Sequence, residues 1–224
     1  MIFFALFILE LVLLFFLSKK LVSSLAKTFY KFRLSHKAVV HILAILFLPG
    51  TIIHELAHLL VAGILLIPVG ELSVLPEIEG EQVKLGSVQI GKADPIRMTF
   101  VGIAPILFGV GMILAIFYLF NFKIWWQAIL GLYLIFEIGN SMFSSKRDLE
   151  GVIGFLVATI LVDILVIGTM YFLKPDLLQN IWAFIKGLDL TNEVNFFKKA
   201  NIYLLIPLGL DLIIIVLTKL IRKL

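Results

Sequence analysis

The chain has 224 residues, 61% of them hydrophobic and 15% charged, with a mean hydropathy of +1.10. Soluble domains are about half apolar, so this composition excludes one and points to an all-α polytopic membrane protein, integral and multi-pass, built on one membrane core. The net charge of +4 does not argue for nucleic acid, because the basic residues flank apolar segments and suit membrane lipids with anionic headgroups, while the lack of cysteine excludes disulfides and thiolate metal ligands.

Residues 1–38 form the first unit. Ile2 to Leu17 is apolar apart from Glu10, short for a span unless it is prolonged by snorkelling of Lys19 and Lys20. It lacks the basic start and small-residue cleavage site of a signal peptide. Ser18 to Lys37 carries six basic residues and no acid, with Leu21, Leu25, Phe29 and Phe32 at helical spacing. That pattern predicts an amphipathic helix on the membrane surface, with a solvated linker as the equal alternative.

The second unit, 39–151, is the membrane core. Its first apolar run, Val39 to Val69, contains Thr51-Ile52-Ile53-His54-Glu55-Leu56-Ala57-His58. A spacing of four puts His54 and His58 on one helical face, where both imidazoles can offer a ring nitrogen to one metal ion. Glu55, beside the first ligand, is placed to act as general base on water. An ionisable cluster at membrane depth is costly and marks a site; a pair of satisfied core histidines is the plainer reading. Pro49-Gly50 predicts a kink one turn before His54.

Residues 70–92 break the apolar run. Leu72 with Val74, Val83 with Leu85, and Val88 with Ile90 alternate with polar neighbours. They predict a β-hairpin or small sheet between the second and third spans, with a bulge at Gly86-Ser87. Its edge can pair with an unwound peptide segment or serve only as a connection. Pro95 to Phe120 is the third span, with a small-residue face of Gly102, Ala104, Pro105, Gly109 and Gly111 that suits close helix contact. Lys123 to Phe143 is the fourth, anchored by Trp125 and Trp126. It ends in Glu137, Asn140 and the polar stretch Ser144 to Gly151.

The third unit, 152–224, continues the fifth span, which runs from Gly151 to Leu173, with an amphipathic interfacial stretch, Pro175 to Ala200, and a sixth span, Asn201 to Leu217. Asp163 and Asp211 lie inside the two spans, as interhelical hydrogen-bonding groups or, less expectedly, a proton relay. The count is about six transmembrane helices.

A catalytic zinc takes three protein ligands and keeps one position open. With His54 and His58 as two, the third comes from Glu137, Asp148 or Glu150. The order of these features resembles the site-2 protease family of intramembrane zinc proteases. That family has His-Glu-x-x-His in one span, then β-structure, a Gly-Pro-x-x-Asn span, and a later Asn-x-x-Pro-x-x-x-x-Asp-Gly. Asn140 and Asp148 keep the Asn-to-Asp spacing. Phe143 replaces the proline, Leu149 the glycine, and Phe108 the asparagine of the Gly-Pro span, matched here by Ala104-Pro105. The resemblance covers about Pro49 to Gly151 and implies a divergent member with Zn2+ on His54, His58 and Asp148. It also implies Glu55 as catalytic base and Asn140 as a polar contact to the substrate carbonyl or oxyanion.

The expected function is hydrolysis of a peptide bond in or near a transmembrane segment of a protein or peptide substrate. Two alternatives stand beside it. One is a non-catalytic membrane protein that retains a metal-binding or partner-binding site. The other is a membrane zinc protease of another architecture, with Glu137 as third ligand. For orientation, the positive-inside rule puts Ser18 to Lys37 in the cytoplasm, whereas the resemblance puts the β-structure there. Six simple spans cannot satisfy both.

Overall fold

The computed structural model describes residues 2–73, 77–79, 82–84, 86–143, 146–173, 176 and 191–224, and side chains for all of these but 77–79, 82–84, 146–156, 158, 163 and 173. The elements are helical apart from four short strands. They are α1 (Ile2–Lys31), α2 (His36–Leu46), α3 (Leu48–Ile64), β1 (Val69–Ser73), β2 (Glu77–Glu79), β3 (Gln82–Lys84), β4 (Ser87–Ile90), α4 (Pro95–Leu119), α5 (Trp125–Ser141), α6 (Lys146–Leu173) and α7 (Thr191–Lys223). Among the described residues α1, α4 and α7 are long and apolar enough to cross a membrane, and α2 with α3 would add a fourth if they are one bent span. This is a membrane-type helical protein with a small β-structure.

The first difference from expectation is α1. Instead of a short segment followed by a surface helix, one helix of 30 residues runs to Lys31 and ends where Arg33 takes φ 60. The basic half stays in line because its small polar residues face another helix. Ser24 Oγ lies 2.8 Å from Thr218 Oγ1 of α7, and Thr28 donates back to Ser24 O. Lys19, Lys20, Lys27 and Lys31 are on the exposed side.

α1 and α7 run in the same direction. Asn201 Nδ2, near the start of α7, donates to Phe3 O at 2.9 Å. Ser24 meets Thr218 in the last third of both helices, and Lys31 Nζ donates to Ile221 O at 2.8 Å near both ends. The end of α4 meets α7, where Phe117 stacks on Tyr203 with ring centroids 3.7 Å apart. α3 is antiparallel to α4, since His58 reaches Val101 and Leu65 reaches Arg97. The main core gathers Leu14 of α1, Val110 and Ile113 of α4, Ile135 and Ile138 of α5, and Leu204 and Leu208 of α7.

Between α2 and α3 the chain bends by 69° at Phe47, where Pro49 occupies the first turn of α3. Proline there lacks only an N–H that would have no helical partner, so it starts a helix while blocking continuation of the one before. The expected kink is therefore a full break. α2 starts beside the end of α1, with Tyr30 Oη 2.6 Å from His36 Nδ1, and descends until Leu46 O accepts from Tyr133 of α5.

β1 pairs antiparallel with β4 and β2 with β3, as expected of a hairpin region. The irregularity lies in β1, between Val69 and Leu72, rather than at Gly86-Ser87. α4 starts with Asp94 as N-cap, its Oδ1 accepting from Arg97 N at 3.1 Å. The stretch expected at Pro175 to Ala200 falls largely outside the described residues; its last part, Thr191 to Ala200, belongs to α7.

Candidate metal centre

His54, Glu55 and His58 are all buried on α3. The two imidazoles are nearly perpendicular with centroids 4.7 Å apart, and their Nε2 atoms are 3.1 Å apart. Two nitrogens at that separation, each about 2.0–2.1 Å from one zinc ion, would subtend roughly 100° at the metal, close to tetrahedral. As it stands the contact is a hydrogen bond between the two rings, and the pair fits a shared ion once the metal replaces the proton between them.

The tautomer of His58 is set by its other nitrogen. Nδ1 lies 2.9 Å from Val101 O on α4. A carbonyl only accepts, so Nδ1 carries the proton and Nε2 of a neutral His58 presents a lone pair. A carbonyl partner on the far nitrogen is the usual outer support of a metal-bound histidine. The sequence holds a signal for it, recognisable once the helices are paired: Pro105 stands four residues after Val101, inside α4.

Close helix approach brings the walls in. A Cβ added to Gly50 would lie 1.9 Å from Ser141 Oγ and 2.4 Å from Glu137 O, so α3 rests on the backbone of α5. A Cβ on Gly109 would lie 2.5 Å from Met142 Cγ. The resulting crevice, lined by Gly50, His54, Pro105, Gly109, Ser141 and Met142, is too narrow for a water. On the other side the β1–β4 pair lies on α3. A Cβ on Gly86 would lie 2.6 Å from Thr51 Cγ2 and 3.2 Å from Glu55 Cγ. The strand edge expected beside the motif is thus next to Glu55, and glycine is what allows the approach.

Asn140 is buried on α5, and its position limits its chemistry. Nδ2 donates to Phe136 O at 3.0 Å and to Asp211 Oδ1 of α7 at 2.8 Å. Because Phe136 O can only accept, the amide cannot be flipped. Both hydrogens are used within the protein, and Oδ1 is the remaining polar atom. The resemblance implies a polar contact from Asn140 to the substrate carbonyl or oxyanion; in this structure both its N–H groups are engaged by Phe136 O and Asp211 Oδ1. Asp211, fully buried, is the interhelical partner that its place in a span predicted.

Asp148 stands in the first turn of α6, with Glu150 half a turn further; both side chains, like that of Asp163, lie outside those described. α5 ends at Ser141 and α6 begins at Lys146, so Asn140 and Asp148 belong to different helices. Glu137 is fully buried, but among the described residues no third His, Asp or Glu side chain joins the histidine pair to make a ligand set. The arrangement with Glu137 as third ligand therefore finds no support in its position. The chain matches no protein-family model. No curated protein and no solved structure matches it either.

Proposed function

We propose that this chain is a zinc-dependent intramembrane endopeptidase similar to the site-2 proteases, cutting a peptide bond in or beside a transmembrane segment of another protein. The observation that carries the reading is the buried His54–His58 pair, with Nε2 atoms 3.1 Å apart and the far side of His58 fixed on a carbonyl. His54 and His58 would hold the ion from α3, and Asp148 would complete the set from the first turn of α6. Zinc supplies a Lewis acid that polarises the scissile carbonyl and brings the pKa of a bound water near 7.

The chain's own residues supply the rest. Glu55 takes a proton from water as its oxygen attacks the carbonyl carbon, then delivers that proton to the amide nitrogen as the C–N bond breaks. The products are a free carboxylate and an amine. Asn140, with Oδ1 as its remaining atom, accepts from a backbone N–H of the substrate. Such an N–H is exposed only where the substrate helix is unwound, because an intact membrane helix satisfies its own amides. The edge of the β1–β4 pair beside Glu55 offers the extended segment a main-chain partner.

Six apolar segments take part in this threading, and the directions of α1 and α7 support one arrangement of them among the described residues. Parallel α1 and α7 require an odd number of crossings between them. α4, α5 and α6 supply three if α2 and α3 dip in from one face and return to it. The reading is five crossings and one re-entrant hairpin carrying His54 and His58.

Metal analysis tests the proposal. The purified wild type should hold one zinc per chain. His54→Ala with His58→Ala, and separately Asp148→Ala, should lose it, while Glu137→Gln should keep it. Equal zinc in wild type and the double-histidine variant would end the reading. Loss in Glu137→Gln with retention in Asp148→Ala would move the third ligand to Glu137.

A further inference from the structure

Beyond Pro95 in its first turn, α4 carries Pro105 in its interior, and the effect of that proline reaches the candidate metal centre. In an α-helix each N–H bonds the carbonyl four residues back, and Pro105 stands four residues after Val101. Proline has no N–H to give, and its ring pushes the carbonyl of that earlier residue off the helix axis. Val101 O is the carbonyl that receives His58 Nδ1, at 2.9 Å and buried between α3 and α4. Any other residue at 105 would supply an N–H to compete for that oxygen and would let it return to the axis.

We infer that Pro105 is a positioning residue for the metal ligand His58. By freeing and tilting Val101 O it provides the acceptor that keeps the proton on Nδ1 and the lone pair on Nε2. The inference rests on the zinc reading above but adds a step to it, since Pro105 touches no metal itself. Two observations support the placement. Pro105 is buried, lining the same crevice as His54. The α3–α4 contact is also tied at its outer end by Arg97 Nη1 to Leu65 O at 3.5 Å, which keeps the register that brings Val101 opposite His58.

The test is Pro105→Ala in the full chain, with three measurements. Zinc affinity, read by competition with a chromogenic chelator, should fall about tenfold, the lower end for losing an outer partner of a metal-bound histidine. Thermal unfolding of the metal-free protein should be unchanged or raised, because the substitution restores a helical hydrogen bond. Nitrogen-15 spectra of histidine-labelled, metal-free protein should show His58 as the Nδ1–H tautomer in wild type and a mixture in Pro105→Ala. A purely structural proline would lower stability and affinity together and leave the tautomer alone, which would overturn the inference. So would an unchanged affinity in a variant whose wild type binds zinc. If the wild type binds no zinc, the zinc reading fails, and the tautomer comparison still decides whether Pro105 sets the proton of His58.

Discussion

Gly50→Ala separates two physical effects that oppose each other. In a helix interior alanine is better than glycine by about 1 kcal/mol; Gly50 stands in the first turn of α3, so local propensity predicts at most that gain in stability. The structure predicts a loss. The new Cβ would stand 1.9 Å from Ser141 Oγ, 2.4 Å from Glu137 O and 2.8 Å from Glu137 C. The serine can rotate away, but the two Glu137 atoms are backbone. To restore an ordinary contact α3 and α5 must separate by roughly 1 Å, in interiors packed tightly enough for one methyl to be felt. Overpacking costs typically about 1–3 kcal/mol, so after a local gain of at most about 1 kcal/mol the net loss is up to about 2 kcal/mol. For a chain this long that lowers the melting temperature by up to about 8 °C. His54 lies one turn past Gly50, so zinc affinity should fall with it. Thermal unfolding in detergent and chelator competition read the two effects. Gly111→Ala is the control, because nothing lies within 4 Å of its added Cβ. Ser141→Ala should rescue little, since the backbone clash remains. A Gly50→Ala protein as stable as wild type, with unchanged zinc, would refute the close contact of α3 on α5.

Three further outcomes are expected. Glu55→Gln should keep its zinc and lose turnover by about a hundredfold or more, the usual worth of a general base; cleavage of a membrane-embedded reporter at the wild-type rate would remove Glu55 from that role. Asp211→Asn should be tolerated better than Asp211→Ala, because an amide oxygen still accepts from Asn140 Nδ2, whereas alanine strands a buried donor at about 1–3 kcal/mol; equal melting temperatures for both variants would contradict this. The chain lacks cysteine, so single cysteines report topology cleanly. Arg33→Cys and Lys92→Cys should react with a membrane-impermeant maleimide from one face, and Lys123→Cys from the other. Labelling of Arg33→Cys and Lys92→Cys from opposite faces would rule out a re-entrant α2–α3.

Much of the local structure was legible in the sequence. The His54–His58 face follows from helical periodicity, the break before it from Pro49, and the strands from alternating polarity. Each is a rule about residues close together in the chain. What could not be read depends on distant pairs. Ser18 to Lys37 carries an amphipathic pattern, and nothing nearby indicates that its small polar side faces Thr218 rather than water. Asn140 reads as a free polar residue until Asp211, 71 positions on, takes its amide. Glu137 and Asp148 are equally eligible carboxylates by chemistry, and a choice between them depends on tertiary placement that no local rule supplies. Pro105 reads as a helix irritant until Val101 O is seen opposite His58.

The shared direction of α1 and α7 has a consequence for sidedness. If α2 and α3 leave by the face they entered, the basic end of α1 and the strands after α3 open into the same compartment. Charge bias then assigns that compartment to the cytoplasm, the same side to which the resemblance assigns the β-structure. Two rules that contradict each other on a chain threaded six times agree on one threaded five times. Water and the unwound segment would then approach the histidines from the cytoplasmic side, past Gly86 and Glu55.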